Sequence, residues 1–147
     1  MSLSHLYQQT ILEHAKHPRN AGRLEHPTHH GAGKNPLCGD ALELMLHMEG
    51  NRITDVAFVG EGCAISQASC SLMTSEIKGK TVEEAEQLMK LLTIHLTAEP
   101  LEGLPGRLEI LGGVRDYPSR VKCAMLAWRV LESILSEGGE VSTEDGN

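Results

Sequence analysis

The sequence predicts an α+β fold, a small antiparallel sheet of about three strands covered by helices. Three observations predict it. Leu42, Leu44, Leu46 and Met48 alternate with Glu43, Met45 and His47, the period of a half-buried strand. A tight Gly50-Asn51 turn leads from there into a β-rich run from Ile53 to Val59, the returning strand of a hairpin. After Gly62 the apolar spacing becomes helical, so strands are grouped early and helices late.

Taken in order, Leu3, Leu6, Tyr7, Ile11 and Leu12 recur at helical spacing until Pro18 and predict an N-terminal amphipathic helix of roughly four turns. Arg19 to Pro36 is rich in Gly, Pro and His and predicts a loop with one short edge strand. In the hairpin, Ile53 is out of parity with Val56 and Phe58, which places a bulge near it. Ile65, Ala68, Leu72 and Met73 form the stripe of a second helix, and Gly79 is its natural stop. Thr81-Val82-Glu83-Glu84 is a capping box that opens a third helix, with Ala85, Leu88, Met89 and Leu92 on one face. Glu99 to Pro118, broken by Gly103, Pro105, Gly106, Gly112 and Gly113, predicts a long loop with a short extended piece at Leu108 to Leu111. A last helix starts near Ser119 and carries Val121, Ala124, Met125, Trp128, Leu131 and Leu135 as far as Gly138-Gly139. The expected organisation is a single domain over residues 1–137 and an acidic, mobile tail over 138–147, with no internal repeat.

A chain of 147 residues buries about 68–70% of the surface its unfolded form exposes, enough for a core without disulfide staples. With one Phe, one Trp and two Tyr, a base-stacking surface is hard to assemble, and a net charge of −7 argues against neutralising phosphates. Nucleic acid is thus not an expected partner. Met1 to Thr10 lacks the basic start and apolar run of a secretory signal, and no stretch is long and apolar enough to span a membrane. The expectation is a cytoplasmic protein. In that reducing setting the four cysteines point to metal binding or reactive thiols rather than disulfides.

Cys38 lies in a loop entering the first clear strand, Cys63 follows a strand and a double-glycine turn just before a helix, and Cys123 falls near the start of the last helix. Such element ends are where loops converge and where a scaffold presents chemistry. Helix N-terminal positions favour thiolate, the form that binds metal and attacks sulfur. Asp40, two residues after Cys38, can supply the fourth ligand that zinc takes. The spacing itself is weak, since no C-x-x-C pair is present and scattered cysteines are more often core residues than ligands.

Cys70 follows Cys63 by two helical turns, about 10.5 Å along the axis, and reads as a packing residue. His26, His29 and His30, with His17 nearby, could hold a metal, but a solvated loop is the commoner outcome; His47 and His95 show no partner. The Glu83, Glu84 and Glu86 run reads as a solvated helix start. Arg115, Arg120 and Lys122 form either a solvated basic turn or a set of cations that stabilise a thiolate.

Cys38-Gly39-Asp40, Gly60-Glu61-Gly62-Cys63-Ala64-Ile65-Ser66 and Lys122-Cys123-Ala124 resemble, in order, the three cysteine motifs of the IscU/NifU-like iron–sulfur assembly family. Leu6-Tyr7, His17-Pro18-Arg19-Asn20 and Ser71-Leu72-Met73-Thr74 extend the resemblance over nearly the whole chain. Within the family the chain looks like the SufU-type branch: the interval from Cys63 to Cys123 is longer than in IscU-type proteins, and Lys122 stands where those have histidine. The Leu-Pro-Pro-Val-Lys segment of the IscU type is also missing. The resemblance implies a zinc-dependent sulfurtransferase that takes persulfide from a SufS-type cysteine desulfurase and serves downstream iron–sulfur scaffold proteins. It implies zinc on Cys38, Asp40, Cys63 and Cys123. From the residues themselves, Cys38, on the most mobile-looking loop, is the expected sulfur acceptor, with Asp40 and the cation Arg120 as expected supporting catalytic residues. The alternative is an IscU-type scaffold that builds a 2Fe–2S cluster, with iron or the cluster in place of zinc.

Overall fold

The order of helical and alternating patterns along the chain is reproduced in a computed structural model, which describes residues 3–36, 38–136 and 139–142. Helix α1 spans Leu3–Lys16, strand β1 His29–Asn35, β2 Asp40–Glu49 and β3 Arg52–Glu61. Helices α2 (Ala64–Ile77) and α3 (Val82–Thr97) follow, then a 3₁₀ helix at Leu108–Val114, α4 (Pro118–Ser136) and a short β4 (Gly139–Ser142). The sheet runs in the order β3-β2-β1-β4. Three of its strands are antiparallel, as the α+β reading expects, and β4 joins β1 in parallel.

Strands β2 and β3 meet at the Gly50-Asn51 turn, where Gly50 adopts φ 61. The bulge lies beside Ile53: Asp55 opposes His47 and Ile53 opposes Met48, so Thr54 is the extra residue. Its hydroxyl donates to the His47 carbonyl over 3.0 Å. That slip returns Ile53 to the core side with Val56 and Phe58, all three buried. They join Leu42, Leu44 and Leu46 beneath α2 and α4.

Two expectations are corrected here. Strand β1 is interior rather than an edge strand: it pairs with β2 from Asn35↔Asp40 to His29↔Leu46, and its other side takes β4 from Gly31↔Gly139 to Lys34↔Ser142. Residues 139–142 contribute this pairing through the backbone, which requires no apolar pattern to be read in advance. Residues 137–138 and 143–147 lie outside the described residues. The extended piece expected at Leu108 to Leu111 is instead the start of the 3₁₀ helix, which buries Leu108, Leu111 and Val114 at a spacing of three.

Helix α3 carries the reciprocal capping box, with Thr81 Oγ1 accepting from the Glu84 N–H and Glu84 accepting from the Thr81 N–H. Helices α2 and α4 are tied through Ser69, whose hydroxyl donates to the Ala124 carbonyl and accepts from Trp128 Nε1. This rigid pair holds the elements that carry Cys63 and Cys123.

Candidate metal centre

Three element ends converge because of the sheet register. Asn35 closes β1, Asp40 opens β2, and pairing sets the two opposite each other across residues 36–39. Cys38 sits on that connection, exposed, with its N–H donating to the Asn35 carbonyl and Gly39 in the left-handed region at φ 72. Leu37 lies outside the described residues. After β3 the chain turns at Gly62, φ 135, where an added Cβ would stand 2.2 Å from Asp40 Oδ1. Only glycine admits both this conformation and this approach. The turn delivers Cys63 to the N-cap of α2, where its N–H donates to Asp40 Oδ1 over 2.8 Å and its sulfur accepts from the Ser66 N–H over 3.4 Å. Cys123 projects from α4, 1% exposed.

The ligand atoms of Cys38, Asp40 and Cys123 lie within 4.8 Å of one another. Cys38 Sγ and Cys123 Sγ are 3.2 Å apart, and Cys63 Sγ stands 4.0 Å from Asp40 Oδ2. Sulfurs bound tetrahedrally to one zinc at about 2.3 Å are about 3.8 Å apart, so a shift of roughly half an ångström would open the pair around an ion. Three soft sulfurs and one carboxylate suit zinc or iron. Cys63 is the outlying member, half-buried and already engaged as a cap. Asp40 is 1% exposed, and both its oxygens meet protein donors, Oδ1 the Cys63 N–H and Oδ2 the Asn35 Nδ2 at 3.3 Å.

The thiolate argument from helix position does not carry over to Cys123. It lies in the second turn of α4, and its thiol is pushed well above the ordinary range, by burial first and then by hydrogen bonds with Cys38, Asp40 and Cys63. Desolvation and crowded acidic groups outweigh the helix dipole. A divalent cation shared by the group is the natural counterweight.

The other candidates separate. Arg120 is exposed at the start of α4 and lines a groove of about 410 Å³ with Tyr7, Ile65, Gly113 and Tyr117. Tyr7 is shifted upward by burial, partly offset by the Arg120 charge, and the groove they share also takes in Ile65, two residues after Cys63. Cys70 is buried in the core, its thiol held above the usual range by desolvation and then by Asp40, and it is outside the three-residue group. The histidines disperse: His29 bonds Thr28, His47 bonds the His26 carbonyl, and among the described residues they form no metal-capable group. Sequence reading gives no signal for Asn35, whose side chain meets Asp40 and Cys123 only through strand register.

The family model of the NifU-like N-terminal domain matches residues 6–137. The chain belongs to that family. Among its relatives, the zinc-dependent sulfurtransferase SufU of Bacillus subtilis is 38% identical over 99% of this chain and 97% of its own length. The iron–sulfur cluster assembly scaffold protein IscU of Streptococcus pyogenes is 36% identical over 90% of this chain and 84% of its own. A crystal structure assigned as an iron–sulfur cluster assembly scaffold protein of the SUF system, from Fervidobacterium islandicum, superposes with a TM-score of 0.83 at 38% identity, covering 90% of this chain and 99% of that one. The NifU-like fold is thereby shared over the sheet and helices that carry Cys38, Asp40, Cys63 and Cys123. No helix among the described residues is long and apolar enough to cross a membrane.

Proposed function

We propose that this NifU-like protein accepts persulfide sulfur from a SufS-type cysteine desulfurase at Cys38 and passes it to downstream iron–sulfur scaffold proteins in the cytoplasm. The observation that carries the reading is an exposed thiol, Cys38, in contact with a buried Asp40–Cys123 pair able to share a metal. Similarity to a relative named as a zinc-dependent sulfurtransferase supports it. Zinc would be held by Cys38, Asp40, Cys63 and Cys123, and when bound it would keep the thiols ionised.

In the transfer, the Cys38 thiolate attacks the outer sulfur of the desulfurase persulfide. An S–S bond forms on Cys38 as the partner's S–S bond breaks, and the electron pair leaves on the partner's cysteine as thiolate. The sulfane proton travels with the transferred sulfur, so no oxidant or reductant is consumed. Arg120, exposed in the groove beside Tyr7 and Ile65, offsets negative charge on the arriving group.

The test is to mix the protein with a SufS-type desulfurase and cysteine, follow cysteine turnover, and map the extra sulfur by mass spectrometry. The expected result is stimulated turnover, sulfur on Cys38, and loss of both in Cys38→Ser. Sulfur found mainly on Cys123, or normal turnover by Cys38→Ser, would contradict the assignment. Metal content gives a second test: one zinc and no colour is expected, whereas a brown iron-containing protein after anaerobic purification would favour the scaffold reading.

A further inference from the structure

Asn35 is fully buried at the floor of the metal centre. Its Nδ2 lies 3.3 Å from Asp40 Oδ2 and 3.5 Å from Cys123 Sγ, so one amide donor group faces two of the site's acidic groups. Its backbone carbonyl also accepts the Cys38 N–H over 3.2 Å, and β pairing sets it opposite Asp40. One residue therefore contacts three of the four proposed ligand residues. The sulfurs are served unequally. Cys63 Sγ accepts the Ser66 N–H and Cys123 Sγ accepts the Asn35 amide, while among the described residues no N–H donor reaches Cys38 Sγ. An N–H bond to a thiolate withdraws charge from the sulfur and favours its staying where it is bound. Cys38 is also the exposed member of the set.

We propose that Asn35 is a positioning residue that holds Asp40 and Cys123 in register for one metal ion and, by donating to the Cys123 sulfur, reserves Cys38 as the sulfur that reacts. The inference rests on the functional reading above and deepens it, because it names what distinguishes the acceptor from its neighbours. Loss of the amide leaves Asp40 with one protein donor and Cys123 with none from β1. Both effects loosen the metal and raise the reactivity of Cys123 relative to Cys38.

The test compares wild type with Asn35→Leu, which keeps the volume and removes the donor, and with Asn35→Ser as a smaller change should the leucine variant not fold. Zinc affinity is measured by competition with a chromogenic chelator, and is expected to fall roughly 10–100-fold. The zinc-loaded proteins are then treated with limiting iodoacetamide, and the labelled cysteines are mapped by mass spectrometry. Wild type is expected to label at Cys38, and the variants to show a share moved to Cys123. With cobalt as the probe metal, the sulfur-to-metal charge-transfer band is expected to move to lower energy in the variants, a change that loosened packing would not produce. Folded variants with wild-type chelator competition and wild-type labelling would overturn the role of Asn35 while leaving sulfur transfer intact. Wild type that binds zinc but takes no sulfur from any desulfurase would overturn the functional reading, and the affinity and spectral shifts would still report on Asn35.

Discussion

At the site, each side chain depends on a neighbour that allows the approach. Gly62 shows this most directly, since its φ of 135 and the 2.2 Å gap from an added Cβ to Asp40 Oδ1 both exclude a side chain. Gly62→Ala is expected to cost at least about 1–3 kcal/mol in urea unfolding and to displace Asp40. Zinc affinity measured on the folded variant should therefore fall as well; unchanged affinity would show that Asp40 is not a ligand. Cys63→Ser is expected to lower zinc content and melting temperature together. Cys70→Ser puts a hydroxyl into a buried apolar position and should cost about 1–3 kcal/mol while keeping its zinc. Metal analysis of the two purified variants separates a ligand from a packing residue.

Among the elements, the Gly- and Pro-rich segment between α3 and α4 is organised around a histidine that its sequence neighbours do not explain. His95 is 4% exposed; its Nδ1 accepts the Leu101 N–H over 2.9 Å and its Nε2 donates to the Glu109 carbonyl over 2.9 Å. Arg115 donates to the His95 carbonyl through Nε and Nη2. Gly112 and Gly113 let the 3₁₀ helix lie against both His95 and the Tyr7 ring, where an added Cβ would come within 2.6 Å and 2.4 Å respectively. His95→Leu leaves the Leu101 N–H and the Glu109 carbonyl without their partner, about 1–3 kcal/mol for each group that stays dry. Faster amide exchange over residues 98–114 with unchanged zinc content is the expected outcome, read by hydrogen–deuterium exchange. Exchange at the wild-type rate would show that the loop is held by other contacts.

For the whole molecule, the proposed metal centre would join β1, β2, the start of α2 and α4, so ligation there would couple to global stability. Zinc bound there at a hundred times its Kd would add about 2.7 kcal/mol to the folded state. A chelator is therefore expected to lower Tm by roughly 5–10 °C for a chain of this size. Equal melting with and without chelator would contradict a site that spans these elements. A separate pH effect comes from His14, whose ring bonds Ser71 Oγ on α2 at 2.7 Å. Burial, then the Arg19 charge, holds its pKa below the ordinary 6.5. The unfolded chain then binds more protons just below that value, so this contribution is complete above about pH 6.5 and is lost as pH falls through the folded pKa. Denaturant midpoints followed downward from pH 7 should decline, and His14→Gln should flatten part of the slope.

The sequence by itself determined the α+β class, the hairpin and its bulge, the capped third helix and the identity of the candidate ligands. These are legible because period, turn chemistry and caps are local, and because Cys38, Asp40 and Cys63 each sit beside a glycine at an element end. Tertiary structure alone decided that β1 is interior, that 139–142 pair with it, and that Leu108–Val114 coils rather than extends. It also decided that Leu12, on the apolar stripe of α1 by spacing, is 55% exposed. Asn35, the His95 contacts and the upward shift of Cys123 belong to the same group. Each depends on which distant groups register and burial bring within reach, and a one-dimensional pattern does not carry that information.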